Sequence, residues 1–333
     1  MNSKFEKWDE NCSLESLQNI ADACVHCGKC RENCAFLDKY EMDLGDVSKL
    51  QEHVYGCFLC GNCDRVCPAG ISGRQLFQNL RRMQVRDGKL EEKPYSFVLK
   101  EKKDYKFRNY RNATAGRVLF PGCNFPSMFP KTNRKISDLC KAKGIGTVYD
   151  CCGKPIAELG LYRDEERIVN RISSELESRG IDEVITTCPN CYYFLKERIP
   201  QKVRSIYEVL PELVPEIFVP EGIEIQIPCP DGTHREWYDG ICNLLGYEPA
   251  VTAAEQCCGL GGMASAEEPA LAKKFGEGLT YSGLRNTTFC ASCAGQYARN
   301  GKEIRHVLSL LLGMDEAPAT KTSYLNRVKT KYK

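Results

Sequence analysis

Apolar residues return at helical intervals twice near the start of the chain: in 14–23 (LESLQNIADA), with Leu14, Leu17, Ile20 and Ala21 on one face, and at Val47, Leu50 and Val54. This period predicts short amphipathic helices. Residues 74–86 predict a further, basic helix, and the polar, Lys-rich stretch 87–115 reads as a linker. From residue 116 the texture changes to short apolar runs alternating with helical periods. Residues 118–120, 147–149 and 184–187 predict strands; 133–143 and 164–179 predict helices, the first with Ile136, Leu139 and Cys140 inward. Such alternation predicts an α/β unit around a mostly parallel sheet.

That unit occurs twice, and cysteines mark the repeat better than apolar residues do. Cys123, Cys151 and Cys152 return 106 residues later as Cys229, Cys257 and Cys258, and Cys188 and Cys191 return 102 residues later as Cys290 and Cys293. A sheet element is expected before each lone cysteine (RVLFPGC, IEIQIPC), before each CCG (TVYDCCG and, with a weaker pattern, TAAEQCCG), and before each CxxC (VITTCPNC, NTTFCASC).

At 333 residues the chain can bury two or three cores without covalent staples, so its 21 cysteines need another reason. The start, MNSKFEKWDENCSLESL, is polar and has no apolar signal core, which predicts a reducing, cytoplasmic setting. Clustered cysteines there are metal ligands or redox groups rather than disulfides. No run approaches eighteen apolar residues, so no direct membrane span is expected, and peripheral association with a membrane would come through a partner subunit. The net charge of +2 gives no field for nucleic acid. The charge is uneven: residues 81–111 hold eleven Lys/Arg against five Asp/Glu, and 317–333 hold five Lys/Arg and no acid. Both stretches read as solvated faces, with docking to an acidic partner or lipid surface as the alternative.

Residues 24–34 (CVHCGKCRENC) and 57–67 (CFLCGNCDRVC) share the series C-x2-C-x2-C-x3-C, and Pro68 follows the second. This is the ligand run of two-cluster bacterial ferredoxins, in which the fourth cysteine ligates the other cluster. By that rule one cubane [4Fe–4S] cluster takes Cys24, Cys27, Cys30 and Cys67, and the other takes Cys57, Cys60, Cys63 and Cys34. Gly28 and Gly61 stand where a backbone without Cβ can approach closely. One departure is Ala35 in the place of Pro68. Structural zinc is the competing reading, but zinc knuckles normally arrive as separated CxxC pairs. His26 reads as a cluster neighbour rather than a ligand.

The second family of cysteines cannot be explained by disulfides, because adjacent pairs such as Cys151–Cys152 bridge poorly. The pattern C…CCG…CxxC, occurring twice behind a two-cluster ferredoxin module, resembles the heterodisulfide reductase family and is also similar to the iron–sulfur subunit of anaerobic glycerol-3-phosphate dehydrogenase. The resemblance covers about residues 10–312. It implies an α+β chain: a small helical ferredoxin-like domain over 1–90, a linker over 91–115, duplicated α/β cysteine-rich (CCG) domains over 116–220 and 221–313, and a basic tail over 314–333. It further implies two non-cubane [4Fe–4S] clusters, one on Cys123, Cys151, Cys152, Cys188 and Cys191 and the other on Cys229, Cys257, Cys258, Cys290 and Cys293, and it makes these ten the catalytic set. The gap between the lone cysteine and the CC pair is 27 residues in both halves, shorter than in archaeal reductases. No flavin signature is present. GLGG at 259–262 follows the second CC pair where GKPI follows the first, and its glycines either relieve crowding or open space for a substrate.

Cys12, Cys140 and Cys242 belong to no motif, and the latter two read as buried apolar residues. His306 reads as part of the last helix, with a core role or proton delivery to the second non-cubane cluster as its two functions. No P-loop or GxGxxG follows a strand. The resemblance implies an iron–sulfur oxidoreductase that takes electrons from a flavoprotein, ferredoxin or membrane cytochrome and reduces a disulfide or similar acceptor. The alternative is a non-catalytic relay from a flavin dehydrogenase to quinone.

Overall fold

The computed structural model describes residues 8–333 apart from Glu255. The expected first helix forms as Leu14–Ala21, opened by a capping box in which the Ser13 and Ser16 hydroxyls exchange bonds with each other's backbone N–H. Val47–Glu52 follows, and Gly73–Arg86 is capped by the Ser72 hydroxyl, which accepts from the Gln75 N–H. These helices turn Leu17, Val47, Leu50, Leu76, Phe77 and Leu80 into one core with Phe36 and Leu37, and Cys30, Cys34, Cys57 and Cys63 lie within it.

The first half is a five-stranded sheet of β1 (Asn109–Asn112), β2 (Gly116–Phe120), β3 (Gly146–Tyr149), β4 (Ile181–Thr186) and β5 (Lys202–Ser205), in the order β1-β3-β2-β4-β5. Every pairing is parallel except β1 with β3. Val118, Leu119 and Phe120 of the middle strand are fully buried, as a strand covered on both faces requires. The covering helices include Pro130–Ala142, with Ile136 and Cys140 inward, and Tyr162–Glu177, with Ile168, Val169, Ile172 and Leu176 inward. The second half repeats the plan with β6 (Ile223–Gln226), β7 (Ala250–Val251), β8 (Arg285–Thr288) and β9 (Arg305–His306), all parallel, in the order β7-β6-β8-β9. This is the order β3-β2-β4-β5 over again.

Four expectations need correction. The stretch 91–115 is not a bare linker: it carries the helix Ser96–Lys102 and the strand β1. The lysines hid Tyr95, Leu99, Tyr105, Phe107 and Tyr110, all buried, whose apolar area is enough to fold the segment. The expected basic tail, 314–333, folds back as the helix Ser323–Thr330, held by Asn326 Nδ2 on the Ser127 carbonyl at 3.1 Å and by the Ser127 hydroxyl on the Ser323 carbonyl at 2.8 Å. Among the described residues no strand adjoins the second CC pair: β7 ends at Val251, and Ala254 makes only an isolated antiparallel bridge to Leu279. His306 ends β9 and caps the helix Val307–Leu311 rather than lying in it.

Candidate metal centres

The two ferredoxin-type runs fold alike. Gly28 and Gly61 take left-handed backbone, at φ of 75° and 74°, and each opens a short helix, Lys29–Glu32 and Asn62–Val66, that carries the third cysteine of its run. At Gly28 a Cβ would meet open space, so the left-handed φ is its reason; at Gly61 a Cβ would meet Arg74. Cys24, Cys27, Cys30 and Cys67 line one recess, closed by Leu44 and Pro68. Cys34 lies with Cys57, Cys60 and Cys63 instead, each of these thiols feeling the charge of others in the set. The fold therefore brings together both expected sets, with the fourth cysteine exchanged between runs. His26 Nδ1 bonds Asp43 at 2.8 Å, and Asp43 Oδ1 lies 3.7 Å from Cys24 Sγ, so His26 is a neighbour of the first set.

In both cysteine-rich halves the cysteines, the Cys257–Cys258 pair excepted, follow the carboxyl ends of parallel strands, where open α/β sheets place their ligands. Cys123 follows β2, Cys151 and Cys152 follow β3, and Cys188 follows β4; Cys229 follows β6 and Cys290 follows β8. Cys188 and Cys290 cap the helices Pro189–Lys196 and Ala291–Arg299, which hold Cys191 and Cys293 in their first turns. In the first half the thiols form a chain of contacts, Cys123 to Cys151 to Cys152 to Cys191 to Cys188. In the second, Cys229 touches Cys257, and Cys258 touches Cys293, which touches Cys290. The buried Tyr297 ring feels the charge of Cys258, Cys293, Cys229 and Cys257 together.

Thiols so crowded cannot all ionise alone. Cys152 is pulled down to about 5, first by the bond from Cys151 and then by that from Cys191, and Cys290 to about 7 by Cys293. Their partners Cys191 and Cys293 are pushed well up. None of the 21 cysteines is in a disulfide. A polynuclear cation that takes all the thiolates at once removes this conflict, so the donor sets fit iron–sulfur clusters.

Several neighbours carry no sequence motif. Gln256 places Nε2 3.5 Å from both Cys34 Sγ and Cys60 Sγ, while its Oε1 accepts the Ala35 N–H at 2.9 Å. Cys60 also meets Cys257 directly, and that bond is what chiefly pulls Cys60 down to about 6. Asn190 Nδ2 lies 3.5 Å from Cys290 Sγ, and Asn124 Nδ2 lies 2.7 Å from the Ser292 hydroxyl, so the two CxxC loops face each other. Lys102 and Arg327, both paired with Glu101, reach the first centre; burial works against their charge, but Cys123 and its neighbours hold it. Arg81, fully buried, donates to the carbonyls of Val54, Cys57, Glu158 and Gly262 at 2.7–3.0 Å, joining all three parts of the molecule.

The GLGG turn has a reason other than substrate space. A Cβ on Gly261 would stand 2.3 Å from the Phe58 carbonyl, and one on Gly262 2.3 Å from the Cys57 carbonyl. Its glycines seat the second cysteine-rich half on the loop of residues 57–60. Cys140 is fully buried as expected, whereas Cys12 and Cys242 are half-buried. His306 is fully enclosed: Nδ1 accepts the Leu308 N–H at 3.2 Å, and the ring meets Phe125 and Phe129 edge-on. Nothing in that setting serves proton delivery.

Among protein families, residues 20–71 match the 4Fe-4S dicluster domain, and residues 118–196 and 207–282 match the cysteine-rich domain CCG. The second CCG match ends before Cys290 and Cys293, which the repeat and the fold bring in. The chain is similar to one subunit of the dihydromethanophenazine:CoB–CoM heterodisulfide reductase of Methanosarcina barkeri, at 23% identity over 84% of this chain and 87% of that protein. The same subunit of Methanosarcina mazei is 26% identical over 70% and 68%. The glycolate oxidase iron-sulfur subunit of Escherichia coli is 22% identical over 81% and 86%.

Proposed function

We propose that this chain, which joins a 4Fe-4S dicluster domain to two cysteine-rich domains as iron–sulfur subunits of the heterodisulfide reductase type do, is an oxidoreductase subunit that takes electrons from a redox partner and delivers them to a disulfide or similar acceptor. Cys24, Cys27, Cys30 and Cys67 would hold one cubane, and Cys57, Cys60, Cys63 and Cys34 the other. Each five-cysteine set of the CCG halves would hold a non-cubane [4Fe–4S] cluster. Such clusters supply one-electron storage at potentials set by the surrounding hydrogen bonds and solvent access. The observation that carries this reading is the direct meeting of Cys60 with Cys257, which puts a cubane set against a cysteine-rich set with no gap between them.

The chain's own residues hold that junction. Arg81 fixes the Cys57 loop against both halves, Glu268 receives Lys39 at 2.7 Å and Tyr40 at 2.6 Å, and the Asn124–Ser292 and Asn190–Cys290 bonds hold the two cysteine-rich centres facing each other. The electron donor would be a flavoprotein, a ferredoxin or a membrane cytochrome. No helix among the described residues is long and apolar enough to cross a membrane, so contact with a membrane donor would be made by that partner.

Anaerobically purified protein should be brown, carry about sixteen irons per chain, and oxidise a reduced viologen when given a suitable disulfide. Colourless protein, or protein loaded with zinc, overturns the reading. The likeness to the glycolate oxidase iron-sulfur subunit supports a second one, a relay between a flavin dehydrogenase and quinone. Full iron loading with no disulfide turnover, and quinone reduction only beside a copurifying flavin dehydrogenase, would favour the relay.

A further inference from the structure

The residue before each CC pair is treated differently in the two halves. Asp150 keeps to its own half: it accepts from the Tyr110 hydroxyl at 2.9 Å, from Arg171 at 2.6 Å and from the Cys151 N–H at 2.7 Å. Its counterpart 106 residues on, Gln256, leaves its own half and spans two sulfurs of the neighbouring cubane set. The Ala35 bond fixes the amide's orientation there, and a backbone contact anchors the residue. Oε1 takes the Ala35 N–H at 2.9 Å, which leaves Nε2 pointing at Cys34 and Cys60, and the Gln256 carbonyl accepts from Asn62 Nδ2 at 3.5 Å. The Ala35 bond also accounts for the one departure from the ferredoxin run. A proline after Cys34, like Pro68 after Cys67, would have no N–H to give.

We infer that Gln256 is a positioning residue for the Cys34–Cys57–Cys60–Cys63 cubane, setting its reduction potential from within the second cysteine-rich half. The inference rests on the cluster assignment proposed above. An N–H donated to a ligand sulfur stabilises the more negative, reduced centre and so raises its potential. Gln256 supplies two such contacts from one amide. Because the next residue is Cys257, which touches Cys60, any movement of the second cysteine-rich centre reaches the cubane through this side chain.

The test is EPR-monitored redox titration of the anaerobic, iron-loaded chain and of two variants. Gln256→Glu keeps an acceptor for the Ala35 N–H but removes the donors; Gln256→Leu removes both. Two cubane midpoints are expected in the unaltered chain. One should fall in both variants, further in Gln256→Glu because its carboxylate adds negative charge, while the other stays in place. Unmoved midpoints at normal iron content overturn the inference. A shift in Gln256→Leu without one in Gln256→Glu also overturns it, since packing rather than donation would then be the cause. An unaltered chain with no cubane signal overturns the cluster assignment itself, an outcome visible before any variant is compared.

Discussion

The two cysteine-rich halves share a ligand frame but not their surroundings. Spacing, strand order, and left-handed Gly153 and Gly259 after each CC pair are repeated. Around that frame the first half is closed by its own chain: β1 extends its sheet, the Ser323–Thr330 helix covers the Phe125–Met128 turn, and Lys102 and Arg327 bring positive charge to Cys123. Among the described residues the second half has no such edge strand and a β7 of only two residues, and it leans on the dicluster domain through Gly261, Gly262, Gln256 and Glu268. The two halves thus share donor atoms, strand order and the glycine after each CC pair, and differ in what packs around them.

The strongest way to break this contrast is to remove the group that serves both halves. Arg81→Met leaves four buried carbonyls without their donor, and each orphaned group costs about 1–3 kcal/mol. A loss of more than about 3 kcal/mol is expected, read as a lowered thermal midpoint together with reduced iron content. If the variant melts with the unaltered chain, the Arg81 bonds are not what holds the three parts together.

A smaller effect should separate the halves. Gly261→Ala drives a Cβ into the Phe58 carbonyl and should cost about 2 kcal/mol by overpacking. Pro155→Ala, at the matching place in the first half, should cost under about 1 kcal/mol, since it opens space rather than filling it. Equal costs in denaturant melts would mean that GLGG and GKPI are interchangeable turns.

Charge gives the next contrast. Lys102→Met removes a buried cation from beside Cys123 and Cys151 and leaves Arg327 to pair with Glu101. On the cluster loading proposed above, the centre of the first cysteine-rich half should become harder to reduce by about 60 mV, a tenfold change for one electron, while that of the second keeps its midpoint. Shifts of equal size at both would show that the field of Lys102 is not local.

The grouping of the cysteines was legible because their spacing repeats, and the central strands because β2 and β4 carry short apolar runs, 118–120 and 184–185. What escaped the sequence was carried by residues with no spacing rule. Gln256, Asn190 and Arg81 act across gaps of 222, 100 and 181 residues, and one substitution, Ala35 for proline, was the only local trace of any of them. The segments expected as linker and tail were misjudged for a related reason: lysines dominate both compositions, while five spaced apolar side chains fold the first and the polar contacts of Asn326 and Arg327 hold the second. β5 and β9 were missed because KVRS and RH are short and mostly polar, and their places come from pairing with β4 and β8.

The last contrast lies at the far edge of the two sheets, where Ser205 and His306 stand at matching positions, each ending a strand and accepting an N–H from the helix it caps. Serine does this without a titratable group; histidine does it fully buried, and burial pushes its pKa down to about 3 from the usual 6.5. With Nδ1 accepting from Leu308, the ring proton sits on Nε2, which makes no full hydrogen bond among the described residues, and the nearby Phe289 backbone offsets the burial only in part. Between those two pKa values the unfolded chain binds a proton that the folded chain refuses. Stability is therefore full above pH 6.5 and falls as the pH drops below it. From pH 7 to 5.5 the loss at this one site should be about 1 kcal/mol. His306→Asn keeps a side-chain oxygen able to cap the helix and removes the titration. The difference in denaturation midpoint between variant and unaltered chain should then narrow by that amount as the pH falls across this range, whatever acid does to the clusters in both. A difference that stays constant with pH would mean that His306 is protonated as easily in the folded chain as in the unfolded one, and that the two caps are equivalent after all.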